Sequence, residues 1–360
     1  MIVYITEDNS FIGKNLIENL KNIRDGKNRT RPNLSISDIT KKISDSDVVV
    51  ILPGTDINSV LQETTKQKII FISPLTGCDE ERLLPKDSLI YRLPDIIGKW
   101  QGTDNYIASL CYLIANDLDF EIKNQYESVQ ILFIDDFINE IFDALEGHPH
   151  RCDFPEAGEA SPDPTAQYDG KTPVPKESGK YCYSPEVYHT SVGNIIRNLK
   201  AFNELNSTSL IPSIPDGSIA KKLFSMYLSY LPERKMSYPV RMSVDNRGVF
   251  TELVKTANNG QISINIARPG NVRGQHWHNT KWEIFIVVSG HGLIQERKIG
   301  SEEVINFEVR GEDMRAVIML PGYTHNIINL EKDRDLVTVM YANEQFDSMY
   351  PDTFFEVVES

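Results

Sequence analysis

The sequence predicts two domains, the first of alternating strands and helices (α/β) and the second built of strands alone (all-β). The chain has 360 residues, which is more than one hydrophobic core usually contains. In its first half, continuously apolar runs alternate with stretches of helical periodicity, a pattern typical of a parallel sheet covered by helices. In its last third, short β-branched runs are separated by turn residues, which indicates a sandwich or a barrel.

The first domain opens with an apolar run followed by a helical pattern, and this order recurs along it. Strands are predicted at 2–5, 48–52, 69–72 and 89–94, and helices at 11–20 and 106–118. Apolar strands joined by helices predict a doubly wound, Rossmann-like sheet.

The amino-acid composition changes in the middle of the chain. Residues 147–184 are rich in Pro, Gly, Asp, Glu and Ser and hold too few apolar side chains to order themselves, which predicts an exposed insertion. Helical spacing returns at 195–202 and at 223–231, where a proline ends it. We therefore expect the first domain to span 1–235, including the insertion, and the second to span 236–360.

The second domain consists of β-branched runs at intervals that suit a small barrel. These runs lie at 250–254, 261–266, 283–288, 304–309, 316–320 and 336–341. Their length and spacing predict an all-β domain.

Composition and charge exclude several classes of protein. With 40% hydrophobic and 24% charged residues, the chain is an ordinary globular one. Its 37 Lys+Arg against 51 Asp+Glu give a net charge of −14, so neither a nucleic acid nor a membrane is expected as a partner. The four cysteines lie far apart without a C-x-x-C pair, and the chain opens without an apolar leader. We expect a cytoplasmic protein with reduced thiols.

Three of the seven histidines fall in one arrangement in the second domain. His276 and His278 are two residues apart, so on a strand both imidazoles face one side. Glu283 follows a short turn and can come from the neighbouring strand, and His325 can come from a third strand. Three imidazoles and one carboxylate predict a divalent transition-metal site.

The spacing of these residues resembles the two sequence motifs of cupin β-barrels. G-x5-H-x-H-x4-E-x6-G matches from Gly270 to Gly290, and P-G-x2-H-x3-N matches from Pro321 to Asn329. Arg315 stands where the second motif usually has a glycine. The resemblance implies a metal-binding cupin domain; the alternative is a barrel that keeps these residues without a metal.

A closer resemblance is to the capsular polysaccharide synthesis enzyme F family. It is carried by the segments YLSYLP at 227–232, DNRGVFTE at 245–252, GQHWHNTK at 274–281, PGYTHN at 321–326 and PDTFF at 351–355. The resemblance implies a short-chain dehydrogenase/reductase domain joined to a zinc cupin, in a homo-oligomer, here a dimer. It also implies a UDP-N-acetyl-4-keto-6-deoxyhexose substrate, which the cupin epimerises at C3 and the first domain reduces with NADPH.

Further site residues are expected near the motifs. Lys281 and Tyr323 are the candidate acid/base residues, although a surface lysine and a packing tyrosine are equally good accounts. Arg268, Arg273 and Arg297 are candidate partners for the substrate's diphosphate, with a charged barrel rim as the alternative.

The first domain departs from the reductases at both of their functional motifs. Thr6–Gly13 replaces the usual T-G-x-x-G-x-x-G turn, and Glu7 and Asp8 put negative charge where a pyrophosphate would lie. Ser73 matches the family's catalytic serine, but no tyrosine is followed by a lysine four residues later. We therefore expect a degenerate domain with no cofactor-binding residues, which does not bind NADP in the family's manner.

The leading hypothesis is a metal-dependent epimerase of a UDP-linked 4-keto-6-deoxy-N-acetylhexosamine, in capsule or O-antigen biosynthesis. It would act at C3, or at C3 and C5, with a first domain that no longer reduces. One alternative is a bifunctional NADPH-dependent reductase/epimerase. Two others are a ketoisomerase, which uses the same enolisation, and a sugar-binding protein without catalysis.

Overall fold

The computed structural model describes residues 1–122, 124–153, 175–257 and 260–359. It divides into two compact units, Met1–Leu199 with Gly217–Tyr230, and Lys200–Asp216 with Leu231–Ser360. The expected boundary at 235–236 lies near the second of these transitions. The expectation did not include Lys200–Asp216, which groups with the second unit because its strand Leu210–Ile211 pairs with Gly248–Thr256.

The first unit contains strands and helices in alternation. Its strands are β1 (Ile2–Ile5), β2 (Asp38–Thr40), β3 (Val48–Ile51), β4 (Lys68–Pro74), β5 (Leu89–Leu93), β6 (Asp95–Ile97), β7 (Ser128–Phe133), β8 (Arg151–Cys152), β9 (Pro175–Lys176), β10 (Tyr181–Cys182) and β11 (Val187–Ser191). Its helices are α1 (Phe11–Arg24), α2 (Ile57–Glu63), α3 (Tyr106–Ala115), α4 (Ile134–Glu146), α5 (Val192–Asn203, whose last turn groups with the second unit) and α7 (Ala220–Leu228). Among the described residues, no helix has both the length and the apolar character that crossing a membrane requires.

The main sheet of this unit is Rossmann-like. Its strand order is β2-β1-β3-β4-β5-β10-β8-β9, and β2 to β5 pair in parallel. The order reverses between β1 and β3, as in doubly wound folds. All four residues of β3 are buried, so the continuously apolar run at 48–51 is confirmed as a central strand.

The prediction of an exposed insertion at 147–184 is wrong at both ends of that segment. Strand β10 pairs in parallel with β5, and β8 pairs with β10, so both ends extend the main sheet. Cys152, Tyr181, Cys182 and Tyr183 are buried there. These strands have two residues each, too short for hydrophobic periodicity to reveal. The polar centre, 154–174, lies outside the described residues.

The second unit is β-rich, as predicted. Its strands are β12 (Leu210–Ile211), β13 (Met242–Asp245), β14 (Gly248–Thr256), β15 (Gln261–Ala267), β16 (Val272–Trp277), β17 (Glu283–Ser289), β18 (His291–Lys298), β19 (Val304–Arg310), β20 (Ala316–Met319), β21 (Tyr323–Asn329), β22 (Leu336–Ala342) and β23 (Phe354–Phe355). Besides the last turn of α5, the short helix α6 (Leu205–Thr208) and the 3-10 turn Glu233–Lys235 belong to its described part.

Two sheets form this unit. One has the order β12-β14-β15-β22-β17-β20, with β13 beside β14, and the other has the order β19-β18-β21-β16-β23. One apolar cluster joins the two sheets, with Phe285 and Leu336 from the first and Ile294 and Ile327 from the second. The sheets therefore face each other across a shared core, and β16, β17 and β21 direct polar side chains into the same interior.

Candidate metal centre

Four polar side chains converge in the second unit. The ligand atoms of His276, His278, Glu283 and His325 all lie within 4.8 Å of one another. The ring centroids of the three histidines are 4.7 to 5.4 Å apart. His278, Glu283 and His325 are buried, and His276 is half-buried. The structure thus brings together the four residues that the spacing of the motifs selected.

A β-bulge aims the first histidine at the cluster. Strands β16 and β21 are antiparallel, and the register shifts between Gly274 and His276, so that His276 lies opposite His325. Gln275, the extra residue, has φ of +66°, in the left-handed region. A Cβ at Gly274 would come within 2.8 Å of the carbonyl oxygen of His325, which explains why a glycine precedes the bulge. His278 lies one residue beyond the end of β16.

Glu283 reaches the cluster from the opposite sheet. It begins β17, which pairs with β20 and β22 rather than with the strand of His276. The expectation that it comes from the neighbouring strand is therefore wrong. A connection as short as 278–282 can make a hairpin or cross between sheets, and its spacing alone does not distinguish the two.

The buried polar atoms of the cluster suit a cation. Nε2 of His278, Nε2 of His325 and Oε2 of Glu283 are buried and have no hydrogen-bond partner among the described residues. Nδ1 of His278 bonds the backbone carbonyl of Asp352, and Nδ1 of His325 lies 3.4 Å from the carbonyl oxygen of Tyr323. Because a carbonyl only accepts, Nδ1 carries the proton and Nε2 keeps a free lone pair. Three unpaired acceptors that converge in a buried site fit a bound metal ion.

The ionisation states agree with this arrangement. Burial, with the neighbouring His325 and His278 imidazoles, lowers the pKa of His276 to about 3. Burial alone would raise the pKa of Glu283, but the imidazoles of His278 and His325 and the Lys281 ammonium together hold it well below its usual value. At neutral pH, His276 is therefore uncharged and Glu283 is an anion, which are the forms that bind a divalent metal.

Two cavities meet at His276. One of about 250 Å³ is lined by Arg247 and Arg273, among others. The other, of about 300 Å³, is lined by Lys281 and Glu283. Phe250, His276 and Met340 belong to both linings. The ligand cluster thus faces a space with a guanidinium-lined lobe on one side and an ammonium–carboxylate pair on the other.

The two candidate acid/base residues are placed differently. Nζ of Lys281 lies 3.0 Å from Oε1 of Glu283, and the lysine side chain is mostly buried at the cavity wall. Tyr323 is half-buried at the start of β21 and is absent from both linings as the described residues form them. Lys281 therefore has access to a ligand in the cavity, whereas Tyr323 lines neither cavity.

The three arginines predicted to bind the diphosphate lie in different surroundings. Arg273 lines the cavity, and its Nη1 lies 2.9 Å from Oδ1 of Asp245. Arg268 is exposed and donates to the backbone carbonyl of Asn246. Arg297 donates to the carbonyl oxygens of Ser301, Val357 and Val358 and pairs with the Glu356 carboxylate. Arg273 alone among the three lies at the cavity.

Sequence reasoning missed Arg247. Its guanidinium binds Oδ2 of Asp245 at 2.7 Å and lines the same lobe as Arg273. One carboxylate thus orients two guanidiniums. Its signal in the sequence is the Asp-x-Arg-Gly turn at 245–248, within one of the segments that carry the family resemblance.

The first βα turn of the N-terminal unit is occupied by its own side chains. Glu7 has φ of +47°, and the Asp8 carboxylate pairs with Lys41. Ser10 caps α1, and its hydroxyl accepts from the Gly13 amide at 3.0 Å. A Cβ at Gly13 would come within 2.3 Å of the Glu7 carbonyl oxygen, so this glycine serves the turn itself. The Ser10 hydroxyl thus binds one of the amides that are otherwise free at the N-terminus of α1.

Ser73 is bound to a buried ion pair. Its hydroxyl donates to Oε1 of Glu81 at 2.5 Å, and Arg92 pairs with Oε2 of Glu81 at 2.7 Å. Between β4 and β5, the described structure contains one helical element, the 3-10 turn Asp79–Arg82. The position of a tyrosine- and lysine-bearing helix is therefore taken by a short connection.

Two sequence comparisons find similar proteins. Residues 243–354 match the polysaccharide biosynthesis C-terminal domain family. Over 269 residues, 74% of this chain, the sequence is 32% identical to UDP-2-acetamido-2,6-beta-L-arabino-hexul-4-ose reductase of Pseudomonas aeruginosa strain PA103. The chain spans 64% of the length of that curated relative.

Solved structures resemble the whole chain. CapF in complex with the inhibitor 3-isopropenyl-tropolone superposes with a TM-score of 0.82 at 33% identity, over 99% of this chain and 100% of that one. The capsular polysaccharide assembling protein CapF from Staphylococcus aureus gives a TM-score of 0.80 at 31% identity, with the same coverage. Both units of the fold are thus shared with these structures.

Proposed function

The chain belongs to the CapF family of capsular polysaccharide assembling proteins, and from this premise we propose that its second unit is a metal-dependent nucleotide-sugar epimerase. The substrate would be a UDP-linked 4-keto-6-deoxy-N-acetylhexosamine of capsule or O-antigen biosynthesis, inverted at C3, or at C3 and C5. The two facing sheets would be a cupin barrel. The observation that supports this most is the convergence of three imidazoles and one carboxylate at the wall of a cavity.

The donor set fits a divalent ion such as zinc. His276, His278, Glu283 and His325 would hold it, because their ligand atoms converge. The inward atoms of His278, Glu283 and His325 also have no hydrogen-bond partner among the described residues. A bound divalent cation is a Lewis acid that makes the hydrogen next to a ketone easier to remove.

Lys281 is the acid/base residue that the geometry favours. Its Nζ lies 3.0 Å from Oε1 of Glu283, and this contact holds the side chain at the cavity wall. From there it can exchange a proton with a carbon or oxygen of the substrate on one face of the sugar. The prediction of Tyr323 as its partner stays open, since its side chain lies outside the two linings.

The diphosphate of the substrate would lie in the lobe of Arg247 and Arg273. The two guanidiniums share one carboxylate, Asp245, so the lobe keeps an excess of positive charge. Guanidiniums bind phosphate oxygens with charge-assisted hydrogen bonds. Arg268 and Arg297 line neither of the two cavities, so this proposal does not depend on them.

An isotope experiment tests the proposed epimerisation. The metal-loaded protein is incubated with a UDP-4-keto-6-deoxy-N-acetylhexosamine in D₂O, and deuterium at C3 and C5 is followed by NMR. We expect exchange that stops on chelation and returns with added metal. Product NMR separates epimerisation from ketoisomerisation, in which the carbonyl moves from C4 to C3. Loaded protein that exchanges no deuterium would contradict the proposal.

A bifunctional reductase/epimerase is the second candidate, because the Pseudomonas relative is named as a reductase. The occupied first turn and the Ser73–Glu81 hydrogen bond argue for a first unit that does not reduce. We expect no loss of absorbance at 340 nm when NADPH and the keto sugar are added together. Stoichiometric oxidation of NADPH would establish the second candidate instead.

A further inference from the structure

We infer that Asp352 is a positioning residue of the proposed metal centre, which it serves from the far end of the chain. The backbone carbonyl of Asp352 would hold His278. The Asp352 carboxylate would hold the connection 279–281, which contains Lys281. This inference rests on the proposed function, since it concerns the same site.

The Asp352 carboxylate is surrounded by donors from one connection. Oδ1 accepts from the Asn279 amide at 2.8 Å. Oδ2 accepts from the amides of Thr280 at 2.8 Å and Lys281 at 3.0 Å, and from the Thr280 hydroxyl at 3.1 Å. Three successive amides between β16 and β17 therefore end on one carboxylate, where neither strand supplies a ladder partner.

The backbone of the same residue fixes a metal ligand. Its carbonyl oxygen accepts from Nδ1 of His278, and Oγ1 of Thr353 lies 3.4 Å from that nitrogen. This bond keeps the proton on Nδ1 and points Nε2 toward Glu283, whose Oε2 is 3.7 Å away.

Asp352 is thereby connected to Glu283 from two directions. His278 approaches Oε2 of the glutamate, and Nζ of Lys281 approaches Oε1 at 3.0 Å. A ligand and the proposed proton donor therefore depend on the position of one residue. Its displacement would move both without removing either.

The segment that contains Asp352 is itself anchored. Strand β23 pairs with β16, and the amides of Glu356 and Val358 donate to the backbone and side-chain oxygens of Gln275, respectively. Arg297 binds Val358 and Glu356 from β18. These bonds explain the placement of Arg297, and they give the carboxylate a fixed position.

Metal retention provides the test, with Asp352→Asn as the variant and Asp347→Asn as its matched control. The amide keeps the shape of the carboxylate but loses its charge and one acceptor, whereas Asp347 is exposed and accepts from the Met349 amide of its own turn. Zinc affinity is measured by chelator competition, and the geometry is followed by the visible spectrum of the cobalt-substituted protein. We expect about ten- to hundredfold weaker binding and an altered spectrum for Asp352→Asn, as loss of an outer partner usually causes. Asp347→Asn should stay within about twofold of the wild type.

Results with either variant or with the wild type can overturn this inference. Folded Asp352→Asn with wild-type affinity and spectrum would overturn it. Should that variant not fold, Thr280→Val removes one contact of the carboxylate without changing side-chain shape, and its cobalt spectrum must shift for the inference to stand. Wild-type protein that takes up no metal would overturn the proposed metal centre itself, and the inference with it.

Discussion

His276 and His325 are register partners on the antiparallel strands β16 and β21, and their ring centroids lie 4.7 Å apart. The two rings meet edge to face, at an interplanar angle of 74°. Because the two histidines lie opposite each other on paired strands, the strand pairing itself brings the two candidate ligands together. The position of the proposed metal centre is therefore set by sheet register.

Replacing either of these histidines should remove the metal and the reaction together. In His276→Ala or His325→Ala, three donors remain, and we expect metal affinity to fall by more than about 100-fold, beyond the loss typical of an outer partner. Elemental analysis of the purified variants and the deuterium exchange assay measure the two effects.

His291→Ala is the matched control for these variants. Nε2 of His291 bonds Glu308 at 2.8 Å on the neighbouring strand and lies outside the ligand cluster. We expect its metal content and exchange rate to equal those of the wild type. A His325→Ala protein that lacks metal and still exchanges deuterium at the wild-type rate would refute the metal's role.

Arg273→Gln should weaken substrate binding more than turnover. Loss of one charge-assisted hydrogen bond costs about 1.5–3 kcal/mol, so KM for the UDP-sugar should rise about ten- to hundredfold while kcat changes less. Arg334→Gln, which removes a surface arginine paired with Glu331 at 2.7 Å, should leave both constants unchanged. A fall in kcat at constant KM would place Arg273 in the chemistry instead.

The four candidate ligands could be selected from the sequence because each lies in a short motif of fixed spacing. His276 and His278 are two residues apart, and the cupin motifs give the positions of Glu283 and His325 relative to them. The partners of those ligands were not predictable. Asp352 lies 74 residues from His278 in the chain, and its role depends on the path of the C-terminal segment.

Arg297 could bind the diphosphate only if its side chain lay on the interior face of β18. The sequence alone does not show which face of the strand it occupies. Glu296 pairs in register with His325, so its side chain lies on the interior face. Successive residues of a strand alternate between faces, and Arg297 therefore points outward to the C-terminal segment. A shift of one residue in register would have reversed the two.

Breaking the buried ion pair of the first unit should be far more costly than breaking a surface pair. Arg92 and Glu81 are 4% and 1% exposed, and Ser73 donates to the same carboxylate. Arg92→Leu leaves a charged Glu81 buried without its partner, so we expect a loss of about 3–5 kcal/mol in the free energy of unfolding. Urea denaturation measures this loss.

Two comparisons distinguish the buried charge from a general packing effect. Arg334→Leu, at the exposed Glu331 pair, should cost about 0–1 kcal/mol. The double variant Glu81→Leu with Arg92→Leu should recover most of the stability, because neither charge is then left alone. Equal losses for the double and single variants would contradict the electrostatic account.

The stability of the first unit should also depend on pH through Glu140. This carboxylate is 3% exposed and accepts from the Tyr91 hydroxyl at 2.7 Å, with Nδ1 of His150 at 2.6 Å. Burial raises its pKa above the ordinary value of 4.5, and the hydrogen bonds from Tyr91 and His150 offset only part of that rise. The folded state therefore binds the proton more tightly than the unfolded state does.

The sign of the effect follows from this difference in proton binding. The contribution of protonated Glu140 to stability is complete below pH 4.5 and is lost as the pH rises through the folded-state pKa. Glu140→Gln does not titrate, so the free energy of unfolding of the wild type should fall relative to that of the variant as the pH rises. The slope cannot exceed about 1.4 kcal/mol per pH unit for one proton. Urea denaturation of both proteins from below pH 4.5 upward measures the difference. A wild type whose free energy of unfolding rises relative to that of Glu140→Gln as the pH rises would mean that the folded state favours the ionised carboxylate.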